Sequence, residues 1–177
     1  MKKLVITAII TLIATAGAFA QRFAYVDSEY ILKHIPEYTS AQKQLDALSE
    51  QWQKDVDGRF AEIEKMYQAY QADQVLLTPE MRKRRENEIV EKEKEAKEFQ
   101  RVKFGFEGDL FQQRTRLIKP IQDRVAKAVQ AVAESQQLDM IFDKNSEIML
   151  LYASPRLDKS NDVITRLGYK PGTTSKQ

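Results

Sequence analysis

The sequence predicts a mostly helical α+β protein, in which a long antiparallel helical hairpin is inserted into a small β-sheet oligomerisation body. Three observations carry this reading. Residues 37–75 and 79–137 each hold an apolar stripe at helical spacing, with a proline-marked break between them. β-rich runs lie near the two ends, at 22–27 and beyond 137. Charged residues make up 31% of the 177 positions against 9% aromatic, which leaves little material for a large buried core.

Residues 1–20 stand apart from that plan. Lys2 and Lys3 precede an apolar run at 4–16, and Ala18-Phe19-Ala20 offers the small residues of a cleavage site. This pattern predicts a secretory signal peptide cut between Ala20 and Gln21, with the periplasm as destination. The run is shorter than the ~20 residues of a spanning helix, and no Cys follows the cut to carry a lipid. Without the two leader lysines, basic and acidic residues balance at 26 each. General attraction to nucleic acid or anionic lipid would then need a local basic patch.

The mature chain begins with a strand at 22–27. Asp27-Ser28 can cap a short helix to about His34, and Ile35-Pro36 breaks it, with Pro36 suited to the first turn of the next helix. That helix, to about Val75, places Ala41, Leu45, Leu48, Trp52, Val56, Phe60, Ile63, Tyr67 and Tyr70 at steps of three and four. The pattern is near-heptad with one stutter, and only a second long helix can cover so narrow a stripe. Thr78 is a good N-cap, Pro79 fits the first helical position, and Glu80 suits the positive end of the dipole. The second helix is expected to run from Pro79 to about Gln137 along Ile89, Ala96, Phe99, Val102, Phe106, Leu110, Leu117, Ile121, Val125, Ala128 and Val132. Pro120 is expected to kink it or tighten one turn rather than end it.

Between Arg82 and Glu98, seven basic and six acidic residues fill seventeen positions. A seam this thin buries too little to make a rigid rod. Gly105 and Gly108 each cost ~1 kcal/mol against Ala inside a helix. Two readings of them stand: a hinge beyond which the arm bends, or a place where the two helices pack closely.

After Gln137 the runs at 138–143 and 148–153 predict a β-hairpin with a polar turn at 144–147. Ser154-Pro155 stops the second strand. Asp158 and Ser160 offer caps for a last helix through Val163, Ile164 and Leu167, ended by Gly168. The division is then a leader at 1–20, a body of 21–35 with 138–170, an arm at 36–137, and a disordered tail at 171–177. Three short strands bury little alone, so the body is expected to associate with copies of itself, through Phe23, Tyr25, Met140, Phe142, Met149 and Leu151.

Chemistry is scarce. With no Cys, thiolate metal sites are excluded, and one His leaves a His-cluster metal site or a Ser-His-Asp triad almost nothing to build from. His34 reads as a helix-end residue, and Asp139 and Asp143 as the solvated side of a strand. The sequence has neither a phosphate-binding glycine loop nor a nucleophile elbow. No enzyme, metal or cofactor is expected. The basic cluster 82–85 is followed by Glu86, Glu88 and Glu91, which can pair with it, so it reads as a solvated helix start. Contact with lipopolysaccharide or a membrane surface stays open, unsupported by the net charge. Nucleic acid is not expected, since the aromatics are not interleaved with a basic surface.

The arm aromatics Tyr67, Tyr70, Phe99, Phe104, Phe106 and Phe111 are the remaining candidates. Side chains two apart on a helix point some 200° apart, so Phe104 and Phe106 cannot both face one seam. At least one of Phe104, Phe106 and Phe111 is expected to be exposed or to line a shared cavity, and exposed apolar surface marks an interaction site.

The ordered set Phe23-Ala-Tyr-Val-Asp-Ser-Glu-Tyr-Ile-Leu32, Ile35-Pro-Glu-Tyr38, a charged helical hairpin, Leu138-Asp-Met-Ile-Phe-Asp143, Leu151-Tyr-Ala153 and Asp158-Lys-Ser-Asn-Asp-Val163 resembles the Skp/OmpH family of periplasmic chaperones, in its Bacteroidetes form. The resemblance covers essentially the whole mature chain. It implies a trimeric, tentacle-like assembly that holds unfolded outer-membrane proteins in a cavity between helical arms and prevents their aggregation without ATP. The neutral mature charge departs from the strongly basic enterobacterial members, and no lipopolysaccharide site is carried over. The competing class is a structural coiled-coil spacer or adaptor of the cell envelope. A rigid spacer calls for an apolar seam continuous to the tip, which this arm lacks.

Overall fold

The structure is a computed structural model that describes residues 22–146 and 151–172. The expected leader at 1–20 and Met149 lie outside those residues. The chain divides into two compact units. One is Ile35–Arg124, and the other holds the described residues of Met1–His34 and Val125–Gln177.

In the second of these, strand β1 (Phe23–Val26) pairs in parallel with β2 (Met140–Asp143), Phe23 opposite Met140 and Val26 opposite Asp143. Parallel pairing needs a long crossover, and the helices at 28–136 supply it. The hairpin expected between 138–143 and 148–153 falls only partly within the described residues. Residues 151–154 carry no strand, and β2 takes β1 as its partner; residues 147–150 lie outside the described set. Asp143 closes a turn at the end of β2, accepting the Ser146 hydroxyl at 2.6 Å on its carbonyl and the Asn145 N–H at 3.1 Å on its side chain. The other edge of β1 is met further on, where the Lys159 N–H donates to the Tyr25 carbonyl at 2.9 Å.

Helix α1 (Ser28–Lys33) is capped by Asp27, whose Oδ1 accepts the Tyr30 N–H at 2.8 Å. Burial alone would raise the Asp27 carboxyl. The Lys144 ammonium at 2.7 Å, the Tyr30 amide and the Asn145 amide outweigh it and hold the group below the usual carboxylate range. At the far end of this unit, α5 (Ser160–Arg166) lies against α1, and Ile31, Val163 and Ile164 are fully buried. Ser160, 2% exposed, joins the pieces: its hydroxyl accepts the Asp27 N–H at 2.8 Å and donates to Asp158 Oδ1 at 2.6 Å.

The unit Ile35–Arg124 holds α2 (Pro36–Asp73, 38 residues), α3 (Pro79–Phe104) and the first turns of α4 (Asp109–Gln136). At ~1.5 Å per residue, α2 runs roughly 57 Å. It is antiparallel to its partners: Tyr70 meets Glu86, Arg59 meets Phe99, Trp52 meets Phe104, and Glu37 meets Arg124. Thr78 caps α3 and Pro79 opens it, as the sequence implied. The distal seam is thin. Ile63, Ile89 and Ala96 are its buried members, flanked by Phe60, Met66 and Tyr70.

The single helix expected from Pro79 to Gln137 is instead two, parted at 105–108. Gly105 ends α3, its N–H donating to the Arg101 carbonyl at 2.8 Å, and Glu107 takes a left-handed φ of 54°. A Cβ on Gly105 would sit 2.3 Å from the Arg101 carbonyl oxygen, and one on Gly108 2.7 Å from that of Val102. The nearest approach at both glycines is to the chain's own preceding turn. Pro120, by contrast, sits inside α4, which continues through it. Left-handed Gln137 (φ 52°) ends α4. The last turn is tied within its own unit by Arg22 Nη1 to the Gln136 carbonyl at 3.3 Å and by Gln136 Nε2 to Asp162 Oδ2 at 2.8 Å. The final helix and Gly168 (φ 87°) fall as expected. Of the tail expected to be disordered, Pro171 and Gly172 are described, and Gly172 is hydrogen-bonded on both sides of its peptide. Residues 173–177 lie outside the described set.

Candidate functional site

The break between α3 and α4 gathers most of the arm aromatics. Phe104 closes α3 and meets Trp52 of α2 edge-on, with ring centroids 6.4 Å apart. One turn earlier, Phe99 lies under the Arg59 guanidinium, 4.2 Å from its ring centroid. The Lys103 ammonium stands 4.8 Å from the Trp52 ring and 5.6 Å from Phe99, and it pairs with Asp109 across the break. These contacts combine cation–π attraction with an ion pair that is mostly withdrawn from water. Phe99 and Phe104 are therefore half-buried and serve the packing of the hairpin.

Phe106 is placed differently. It is 98% exposed in the loop, while Phe111, one turn into α4, is 54% exposed. Phe104 and Phe106 diverge as expected, but not through helical phase, since Phe106 is not helical at all. The expected stripe does not continue through Phe106, because α3 ends at Phe104. Val102 is exposed as well. The loop is held by Gln112, whose amide Nε2 donates to the Glu107 carbonyl at 3.1 Å and whose backbone N–H donates to that of Gly108 at 3.0 Å.

Nearer the turn, Tyr67 is exposed. Tyr70 is half-buried and donates its hydroxyl to Glu86 at 2.5 Å, a bond that holds the phenol above its ordinary range. Val75 and Leu76 are exposed, Leu76 at 83%, and no candidate list drawn from the sequence contained them. Three apolar residues in a row before an N-cap, at 75–77, were the available signal, since a tight turn cannot bury all three. Arg59 and Lys103 were missed too, because a cation over a ring has no spacing signature between separate helices. In the basic cluster, Arg85 lies near Glu88 at 3.9 Å and Arg82 caps the Leu77 carbonyl at 3.1 Å.

The other unit presents a second apolar surface. Parallel register places Phe23, Tyr25, Met140 and Phe142 on one face of the sheet, with Phe23 and Phe142 centroids 6.3 Å apart. The opposite face carries buried Ala24 and Val26. Phe23 and Met140 are exposed, as are Leu151, at 90%, and Tyr152; Tyr152 was missed from the sequence. Among the described residues there is no cluster of His, Cys, Asp or Glu that could hold a metal ion, and no helix long and apolar enough to cross a membrane.

Comparison with known proteins gives a consistent picture. A family model described as outer membrane protein (OmpH-like) matches residues 22–167. The chaperone protein Skp of Yersinia enterocolitica is 25% identical over 158 residues, spanning 89% of this chain and 93% of that protein. A crystal structure from Caulobacter crescentus CB15, described as an OmpH-like outer membrane chaperone, matches with a TM-score of 0.65 at 12% identity. The match covers 91% of this chain and 96% of that one, and it is a likeness of fold.

Proposed function

The chain belongs to the OmpH-like outer membrane protein family, and from that membership we propose that it is a non-enzymatic, ATP-independent holdase of the periplasm. Copies of the chain associate as a trimer through the sheet face bearing Phe23, Tyr25, Met140 and Phe142. The helical hairpins together hold an unfolded outer-membrane protein and keep it from aggregating. The observation that carries this reading is the pair Phe106 and Phe111, exposed on a unit whose helices are otherwise densely charged. Isolated aromatic contacts on a soluble charged arm give weak, adaptable attraction, which suits many unfolded chains better than one shaped partner. Gly105 and Gly108 act as the hinge that lets the arm follow clients of different size. A break of this kind between α3 and α4 disfavours a rigid envelope spacer.

The test is light scattering from a urea-unfolded outer-membrane barrel protein diluted into buffer with or without the chain. Phe106→Ser with Phe111→Ser is expected to weaken suppression of aggregation several-fold while leaving the helical circular dichroism unchanged. Undiminished suppression by this variant would remove these two side chains from client holding.

A further inference from the structure

His34, the C-cap of α1, stacks against Tyr30 one turn earlier, with ring centroids 4.3 Å apart. Its two ring nitrogens meet groups of opposite character. Nδ1 lies 2.8 Å from the Tyr30 carbonyl oxygen, which can only accept, so Nδ1 carries the proton. Nε2 lies 3.1 Å from the backbone nitrogen of Gly172, which can only donate, so Nε2 offers a lone pair. One form of the ring, the neutral Nδ1–H tautomer, satisfies both bonds. The Tyr30 hydroxyl completes the clamp, lying 3.3 Å from the Gly172 carbonyl oxygen and 3.2 Å from Asn161 Oδ1 of α5. Glycine is needed at 172 for this approach, since a Cβ there would stand 2.8 Å from Nε2.

We propose that His34 is a proton-operated latch on the C-terminal segment. While the ring is neutral it pins Gly172 over α1 and α5. A proton added at Nε2 removes the acceptor and sets N–H against N–H, and the segment comes free of both helices. The charged groups on the elements that meet here are Glu29 and Lys33 of α1, Asp162 and Arg166 of α5, and Lys170 of the segment itself. Glu29 pairs with Lys33 at 2.7 Å, and Asp162 is engaged by Lys159 at 3.5 Å and by Gln136 at 2.8 Å. The two ring bonds come from backbone groups, so the switch depends on the imidazole and on no partner carboxylate. Protonation of the imidazole is therefore the event that releases the segment.

Hydrogen–deuterium exchange of the full-length mature protein, read on the C-terminal peptide containing Gly172 and corrected for intrinsic exchange, tests this. Between pH 8 and pH 5 the protection of that peptide is expected to be lost. In His34→Ala it should be low at both values, and peptides from α2 and α3 should not change in either protein. Protection that stays constant with pH in the wild type would overturn the latch. So would a pH-dependent loss in His34→Ala equal to that of the wild type.

Discussion

Ser160 shows how much of the sheet-bearing unit rests on one polar side chain. It is buried, yet both of its hydrogen-bonding roles are filled: it accepts from the amide of Asp27, the residue that caps α1, and donates to Asp158, beside the crossing onto Tyr25. Removing the hydroxyl strands a buried amide, which costs about 1–3 kcal/mol. Ser160→Ala is accordingly expected to lower the thermal midpoint by several degrees, and an unchanged midpoint in a melting curve would show that the hub is redundant. Ser160 reads from sequence as a helix-start residue, and so it is. Its bond to Asp27, more than a hundred positions earlier, has no local signature.

At the scale of elements, the break at 105–108 is the feature on which arm behaviour turns. Its cost is visible in Glu107, a non-glycine residue held in the left-handed region. Its necessity is visible at Gly105, where any side chain would meet the Arg101 carbonyl. Gly105→Ala is expected to destabilise the chain by about 1–3 kcal/mol, the usual cost of overpacking, seen as a lower urea midpoint; a neutral effect would mean that the break adjusts freely. The glycines announced trouble in a helix, but periodicity carried the stripe straight through them, because Val102 and Phe106 keep a three-and-four spacing whether or not the backbone between them is helical. The caps were legible for the opposite reason: Asp27 and Thr78 bond to amides three residues on, and Pro79 fixes its own backbone angle. At the C-terminal end the polar turn was legible, since Asp143 bonds to Asn145 and Ser146, whereas the parallel pairing of β2 with β1 joins residues far apart in the chain and has no local signature.

For the molecule as a whole, two apolar surfaces lie on two separately compact units: a sheet face with Phe23, Met140 and Phe142, and an arm with Phe106 and Phe111. The holdase reading assigns the first surface to copies of the chain and the second to a client. Native mass spectrometry of the mature protein mixed with a urea-unfolded outer-membrane barrel protein tests both assignments in one spectrum. The holdase reading predicts a species of three subunits carrying one client. An oligomer that never takes up the client would contradict it and leave the envelope spacer as the better reading.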